Sequence, residues 1–277
     1  CTWFDESFEH RLSFEGDTER AVLLIDVVHP GFYPASNEGG DMQLDLQPAP
    51  PQKLYWQNYF LEAMDPDRKR CAKARNAIAD LYNFHTTTGD SNDHLPVLMW
   101  YASRVSSVVA LGVGTAGSTF SFIEGLLWSK APKKSFICVD NFAKSEYKYQ
   151  AATDLGNMCE VNATFITADS AVVNLPQHDL LFLDSFRAHG NLRRDLEAHH
   201  DSTRRYIIIH STETDGELSE VLHSGQDVPK AAEEIGSPPM APTLGLHPAV
   251  SMFLEAHTEW LLEAESTKNN GLTVLER

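Results

Sequence analysis

No stretch of this 277-residue chain holds the roughly 18 consecutive apolar residues that a bilayer-spanning helix requires, and no secretory leader pattern opens it. Cysteine is scarce: Cys1, Cys71, Cys138 and Cys159 stand far apart with no CxxC spacing. That speaks against a disulfide scaffold and a thiolate zinc site, and points to a reducing compartment, the cytoplasm. Positive charge is also short, with 22 Lys and Arg against 39 Asp and Glu and a net charge of −17. Such a balance repels phosphate, so neither nucleic acid nor an anionic membrane is expected as a main partner. Methionine is missing from position 1, where Cys1 stands, so the chain reads as a fragment or a processed product. What remains is globular in composition: 42% hydrophobic residues can build a sizeable core.

Residues 105–122 read VSSVVALGVGTAGSTFSF and organise the rest. A β-branched run climbs into Gly112, Gly114 and Gly117 in a GxGxxG arrangement, and an apolar helix-forming segment follows. Strand, glycine turn and helix start form a seat for a nucleotide-like cofactor. Glycine permits the tight turn and close backbone approach, and the helix start offers unpaired N–H groups. About 20 residues beyond the last glycine, Asp140 closes a second strand, SFICVD, where a carboxylate can accept from ribose hydroxyls. The alternative is a glycine turn in an α/β domain that binds nothing.

From residue 67 onward strands and helices alternate. The basic stretch DRKRCAKARNAIADLYNF reads as a helix with a solvated charged face, and VLMWYASRV as a second helix leading into the central strand. NATFITAD, HDLLFLD and RYIIIH read as strands separated by helices, which calls for a parallel sheet covered on both faces. These strands end in Asp140, Asp169, Asp184 and His210, side chains expected to converge on the crevice at the carboxyl edge. Residues 211–248 form a Pro/Gly/Glu-rich insertion that suits a lid or substrate loop, and Pro248 is expected to start a helix. EWLLEAES, a turn at Asn270-Gly271, and LTVLER predict a terminal antiparallel hairpin. Ahead of all this, residues 1–30 read as short antiparallel strands. Residues 31–66 read as a linker whose aromatics Tyr55, Trp56, Tyr59 and Phe60 suit docking onto a neighbour.

On DSNDHLPVL, LGVGTAGST, ICVD, FITADS, DLLFLDS, RRYIIIHSTETDG, HPAVSMFLEAHTEW and NNGLTVLER, residues 84–277 resemble the class I S-adenosylmethionine-dependent methyltransferases. They are similar to bacterial and phage proteins related to cephalosporin-hydroxylase-type and sugar O-methyltransferases. The resemblance implies a Rossmann-like α/β fold, a mostly parallel sheet closed by an antiparallel hairpin, over a domain spanning 67–277. It also implies S-adenosylmethionine as cofactor and a small hydroxylated molecule as acceptor. Gly112, Gly114 and Gly117 would then lie under the methionine and ribose, Asp140 would take the ribose hydroxyls, and Asp169 and Ser170 would flank the adenine. Asp184 would face the methionine or the acceptor, and His210 is the candidate general base, a role its near-neutral titration suits. A histidine bonded to backbone at a strand end is the alternative reading of His210. Three positions depart from the family pattern: Ala110, Arg187 and Ser211. With serine at 211, a divalent-metal site of the kind seen in metal-dependent relatives would rest on Asp184 alone. A fold that keeps the cofactor and loses the chemistry, or an NAD-dependent oxidoreductase on the same glycine loop, are the competing readings.

FDESFEH, the arginine ten residues after its histidine, and LLIDVVHP give residues 1–30 a resemblance to the C-terminal part of the aspartyl/asparaginyl β-hydroxylases, iron and 2-oxoglutarate dioxygenases on a double-stranded β-helix. The resemblance implies His10 as one iron ligand and Arg20 as the partner of the 2-oxoglutarate carboxylate. One histidine cannot hold a catalytic iron, so Fe(II) and 2-oxoglutarate are expected only with a complete N-terminal domain, and residues 1–30 as a truncated remnant.

Overall fold

The computed structural model describes residues 9–10, 25–26, 66–87, 92–112, 116–141, 146–225, 227–230 and 243–277. Gly114, Arg20, the aromatic patch of residues 55–60 and residues 231–242 of the insertion lie outside them. The chain divides into two units, Cys1–Pro51 and Gln52–Arg277. In the first, β1 (Glu9–His10) pairs antiparallel with β2 (Ile25–Asp26), His10 opposite Ile25.

The second unit carries α1 (Pro66–Thr86), a 3-10 turn at Asn92–His94, α2 (Leu95–Ala102), β3 (Ser107–Leu111) and α3 (Gly117–Trp128). It continues with β4 (Lys134–Asp140), α4 (Glu146–Asn157), β5 (Val161–Thr167), β6 (His178–Leu183), α5 (His189–His199) and a 3-10 turn at His200–Ser202. The chain then runs through β7 (Thr203–His210), α6 (Glu220–His223), α7 (Leu246–Ala256), β8 (Leu261–Ser266) and β9 (Leu272–Glu276). Seven strands form one sheet in the order β5-β4-β3-β6-β7-β9-β8. The first five run parallel, and β9 is antiparallel to both β7 and β8. The expected α/β fold, a mostly parallel sheet with a terminal antiparallel hairpin, is the one observed.

Continuous apolar strands are what this sheet needs, because alternate side chains enter two different cores. Val108, Ala110, Phe136, Cys138, Leu180, Phe182, Tyr206 and Ile208 pack toward Ile78, Leu98, Phe122 and Ala152 of α1 to α4. Their neighbours Val109, Leu111, Val139, Leu181, Leu183, Ile207 and Ile209 pack toward Leu192, Leu196, Ala249 and Phe253 of α5 and α7. Described cations of α1, Arg70, Lys73 and Arg75, are exposed, as a solvated face requires. No helix among the described residues is long and apolar enough to cross a membrane.

Three boundaries differ from expectation. β5 stops at Thr167, and Asp169 instead opens a turn in which its Oδ1 accepts from the Ala171 N–H at 2.9 Å. A short aspartate bonds its own following backbone readily, and that competes with the strand ladder. α7 begins at Leu246 rather than Pro248, because a proline in the first turn removes only an N–H that has no helical partner there. Within the insertion expected as a lid or substrate loop, α6 forms, and Leu218 pairs with Leu244.

Candidate functional site

Sheet order reverses direction beside β3: β4 follows on one side, and the chain returns on the other through β6. In an open α/β sheet this is where a crevice opens outside the carboxyl ends of the strands. The backbone there is laced together. Gly112 N–H donates to Val139 O at 2.9 Å, Asp184 N–H to Leu111 O at 2.8 Å, and Ala168 N–H to Asp140 O at 3.2 Å. Gly112 has φ +73°, and a Cβ at this position would overlap the Asp184 and Ser185 backbone. Only glycine lets the two loops approach so closely. Ala116 also lies in the left-handed region, φ 70°, and α3 starts at Gly117 with no side-chain cap among the described residues, the kind of helix start that can meet an anion or a polar ligand edge. An L-residue held there costs about 1–2 kcal/mol, a strain that collects at functional loops.

Asp184 and His210 meet. His210 Nδ1 lies 3.0 Å from Asp184 Oδ1, and Ser211 Oγ lies 3.3 Å from the same nitrogen. Among the described residues the histidine is therefore bonded to side chains. A carboxylate only accepts, so this contact places the proton on Nδ1 and leaves Nε2 as the basic nitrogen. His210 is 2% exposed, and its Nε2 has no hydrogen-bond partner among the described residues. Asp184 also receives Arg187 Nη2 at 3.4 Å, while Arg187 Nη1 stands 3.8 Å from Asp215 Oδ2. Asp215 in turn pairs with His223 at 3.0 Å. On the other side His94 packs edge-on to His210, ring centres 5.6 Å apart, with its Nε2 3.0 Å from Asn269 O. Burial, and then the His210 ring, hold the His94 titration below its ordinary value, so the pair resists carrying two charges.

The terminal hairpin turn reaches this edge. Glu213 and Thr214 N–H donate to Asn270 O at 2.8 and 3.0 Å, and Ser211 N–H to Gly271 O at 2.9 Å. Ser211 sits at φ 65°, so the chain turns sharply after the histidine. At its other end, the insertion is tied down by Glu220 N–H to Arg187 O at 3.0 Å and Leu246 N–H to Asp215 O at 2.8 Å.

The adenine-side expectation fares differently. Asp140 stands half-buried at the end of β4. Asp169 is exposed and lies 3.7 Å from Arg194 Nη2. Ser170 turns its hydroxyl inward and donates to Asp195 Oδ1 at 2.7 Å, while Ser185 Oγ donates to Oδ2 at 2.7 Å. Its side chain thus acts on a buried carboxylate between α5 and the β5–β6 connection. His10 lies on β1 in the separate first unit. His94, Asp215 and His223 were not singled out by the sequence, because no local pattern marks residues supplied by the turn before α2 and by the insertion.

No family model matches the sequence, over residues 1–30 or elsewhere, and no curated protein matches it. Solved structures do superpose. Cofactor-bound Rv0187 from MTB is 14% identical, covers 83% of this chain and 98% of its own, and gives a TM-score of 0.46. The O-methyltransferase from Bacillus cereus, in complex with SAH, is 13% identical over 80% of this chain and 97% of its own, with a TM-score of 0.44. TomG from Streptomyces achromogenes, an O-methyltransferase in complex with SAM, is 10% identical over 80% of this chain and 95% of its own, with a TM-score of 0.46.

Proposed function

We propose that this chain binds S-adenosylmethionine in the crevice beside β3 and transfers its methyl group to a hydroxyl of a small acceptor. The observation that carries the reading is the His210–Asp184 pair at 3.0 Å, set beside the Gly112 turn in a sheet ordered β5-β4-β3-β6-β7-β9-β8. The donor set suits the cofactor. α3 starts without a side-chain cap just after the Gly112 turn, and Asp140 ends β4 where ribose hydroxyls need an acceptor. When bound, the sulfonium supplies an electrophilic methyl group. The residues of the chain then have two tasks, orienting the acceptor hydroxyl in line and removing its proton. His210 Nε2 takes that proton, and Asp184 fixes the ring and stabilises the imidazolium. Arg187 Nη2 approaches the same Asp184 oxygen at 3.4 Å and adds its charge to the pair. Such a reaction needs no partner beyond the small acceptor.

Calorimetric titration of the chain with S-adenosylmethionine, and separately with NAD, tests the cofactor. Binding of the sulfonium alone, lost in Asp140→Ala, is the expected result. Binding of NAD alone, or of neither, overturns the reading. Release of S-adenosylhomocysteine with a panel of small hydroxylated acceptors tests the chemistry. His210→Gln should retain cofactor binding and lose about 10²–10⁴-fold in turnover. The near-complete burial of His210 favours a second reading, binding without turnover. Cofactor binding with no product from any acceptor would support it.

A further inference from the structure

Away from the crevice, on the face covered by α5 and α7, Glu197, His200 and His257 come together. One ligand atom from each, a carboxylate oxygen and two ring nitrogens, lie within 4.8 Å of one another. They arrive by different routes. Glu197 is on the last turn of α5, His200 opens the 3-10 turn that follows, and His257 stands just past α7. His199 and His200 diverge: His199 Nε2 reaches Ser170 O at 2.6 Å on the other side of α5.

Packing fixes both site rings. Phe253 lies edge-on to His200 with centres 5.6 Å apart and tilted against His257 at 4.6 Å. Backbone bonds anchor His257 at both ends, its N–H to Phe253 O at 2.9 Å and its O from Trp260 N–H at 3.0 Å. The two imidazole centres are only 4.1 Å apart. His200 is 7% exposed, and its Nδ1 has no hydrogen-bond partner among the described residues, although Asp201 Oδ1 stands 3.6 Å away. His257 Nε2 is 3.6 Å from Glu197 Oε2, beyond hydrogen-bond length. That separation is close to the edge of about 3.3 Å expected between two ligands bonded at ~2.0–2.1 Å to one tetrahedral ion. Behind the ring, His257 Nδ1 lies 3.9 Å from Glu259 Oε1, a nearby charge and not a hydrogen bond.

We propose that Glu197, His200 and His257 form a binding site for a zinc-type divalent transition ion, with solvent completing the coordination. Two imidazoles and one carboxylate select such an ion over Mg²⁺ or Ca²⁺, which prefer all-oxygen shells. Glu197 is 49% exposed, so an ion reaches the site from solvent. The ion would clamp the end of α5 to the exit of α7, independently of any methyl transfer.

The test uses the untagged full chain, stripped with chelator and titrated with Zn²⁺ by calorimetry and with Co²⁺ by visible absorption. One ion bound per chain with micromolar or tighter affinity, and intense tetrahedral Co²⁺ bands, is the expected result. His257→Ala and the conservative Glu197→Gln should each weaken binding by about tenfold or more, while His247→Ala, in a surface pair with Glu217, leaves it unchanged. Absence of binding in the folded chain, or equal affinity in Glu197→Gln and His247→Ala, overturns the proposal.

Discussion

Asp195 is the residue whose surroundings say most about the cost of burial. It is 0% exposed, yet both of its oxygens are satisfied by serine hydroxyls, Ser170 at 2.7 Å and Ser185 at 2.7 Å. Burial raises its titration above the ordinary carboxylate range, and the two serine bonds oppose that shift. A raised folded-state value means that stability is fully present below the unfolded value and falls as pH rises through the folded one. Asp195→Asn should therefore flatten the loss of stability with rising pH, read as urea midpoints across that range. Ser185→Ala, which strands one oxygen, should destabilise by about 1–3 kcal/mol at neutral pH.

At the scale of elements, the glycine turn is a packing requirement before it is a ligand seat. Gly112→Ala would force a Cβ onto the Asp184 and Ser185 backbone at a left-handed φ, and should destabilise the fold by about 2 kcal/mol or more in urea unfolding. A loss smaller than about 0.5 kcal/mol would contradict the close approach. Much at this scale was legible beforehand. Apolar runs such as FICV and YIIIH are long enough for buried strands and too short for helices, and Asn270-Gly271 marks the final turn. The sequence placed Asp184 and His210 at one carboxyl edge, and their contact follows from β6 and β7 being neighbours, which no spacing rule supplies. What escaped the sequence are contacts made across the fold. The Arg187 link between Asp184 and Asp215 depends on where an insertion returns. The Glu197, His200 and His257 cluster depends on α5 and α7 packing together, and no spacing rule joins residue 200 to residue 257.

For the whole molecule, acid sensitivity should originate far from the crevice. His178 opens β6 at the opposite edge of the sheet, where its Nδ1 donates to Pro176 O at 2.8 Å and Thr203 Oγ1 lies 2.9 Å from Nε2. Burial lowers its titration to about 4 from 6.5. The folded state keeps this ring neutral where the unfolded chain would protonate it. The stabilisation is complete above 6.5 and is lost as pH falls through 4, an effect on the order of 3 kcal/mol. Urea midpoints between pH 7 and 4 should fall less steeply in His178→Gln than in the parent. Parallel slopes would assign the acid limb to other groups. The net charge of −17 adds a general self-repulsion, so moderate salt should raise the midpoint at neutral pH.

The position of β9 has a consequence for synthesis. Residues 272–276 lie between β7 and β8, so the outer edge of β7 has no strand to pair with until they have left the ribosome. Throughout translation of the insertion and α7, the nascent sheet carries an open, apolar edge of five consecutive buried residues, Tyr206 to His210. Such an edge is a template for pairing with another chain. This protein is therefore most vulnerable to aggregation, and most dependent on chaperones that shield strand edges, in the interval before its hairpin emerges.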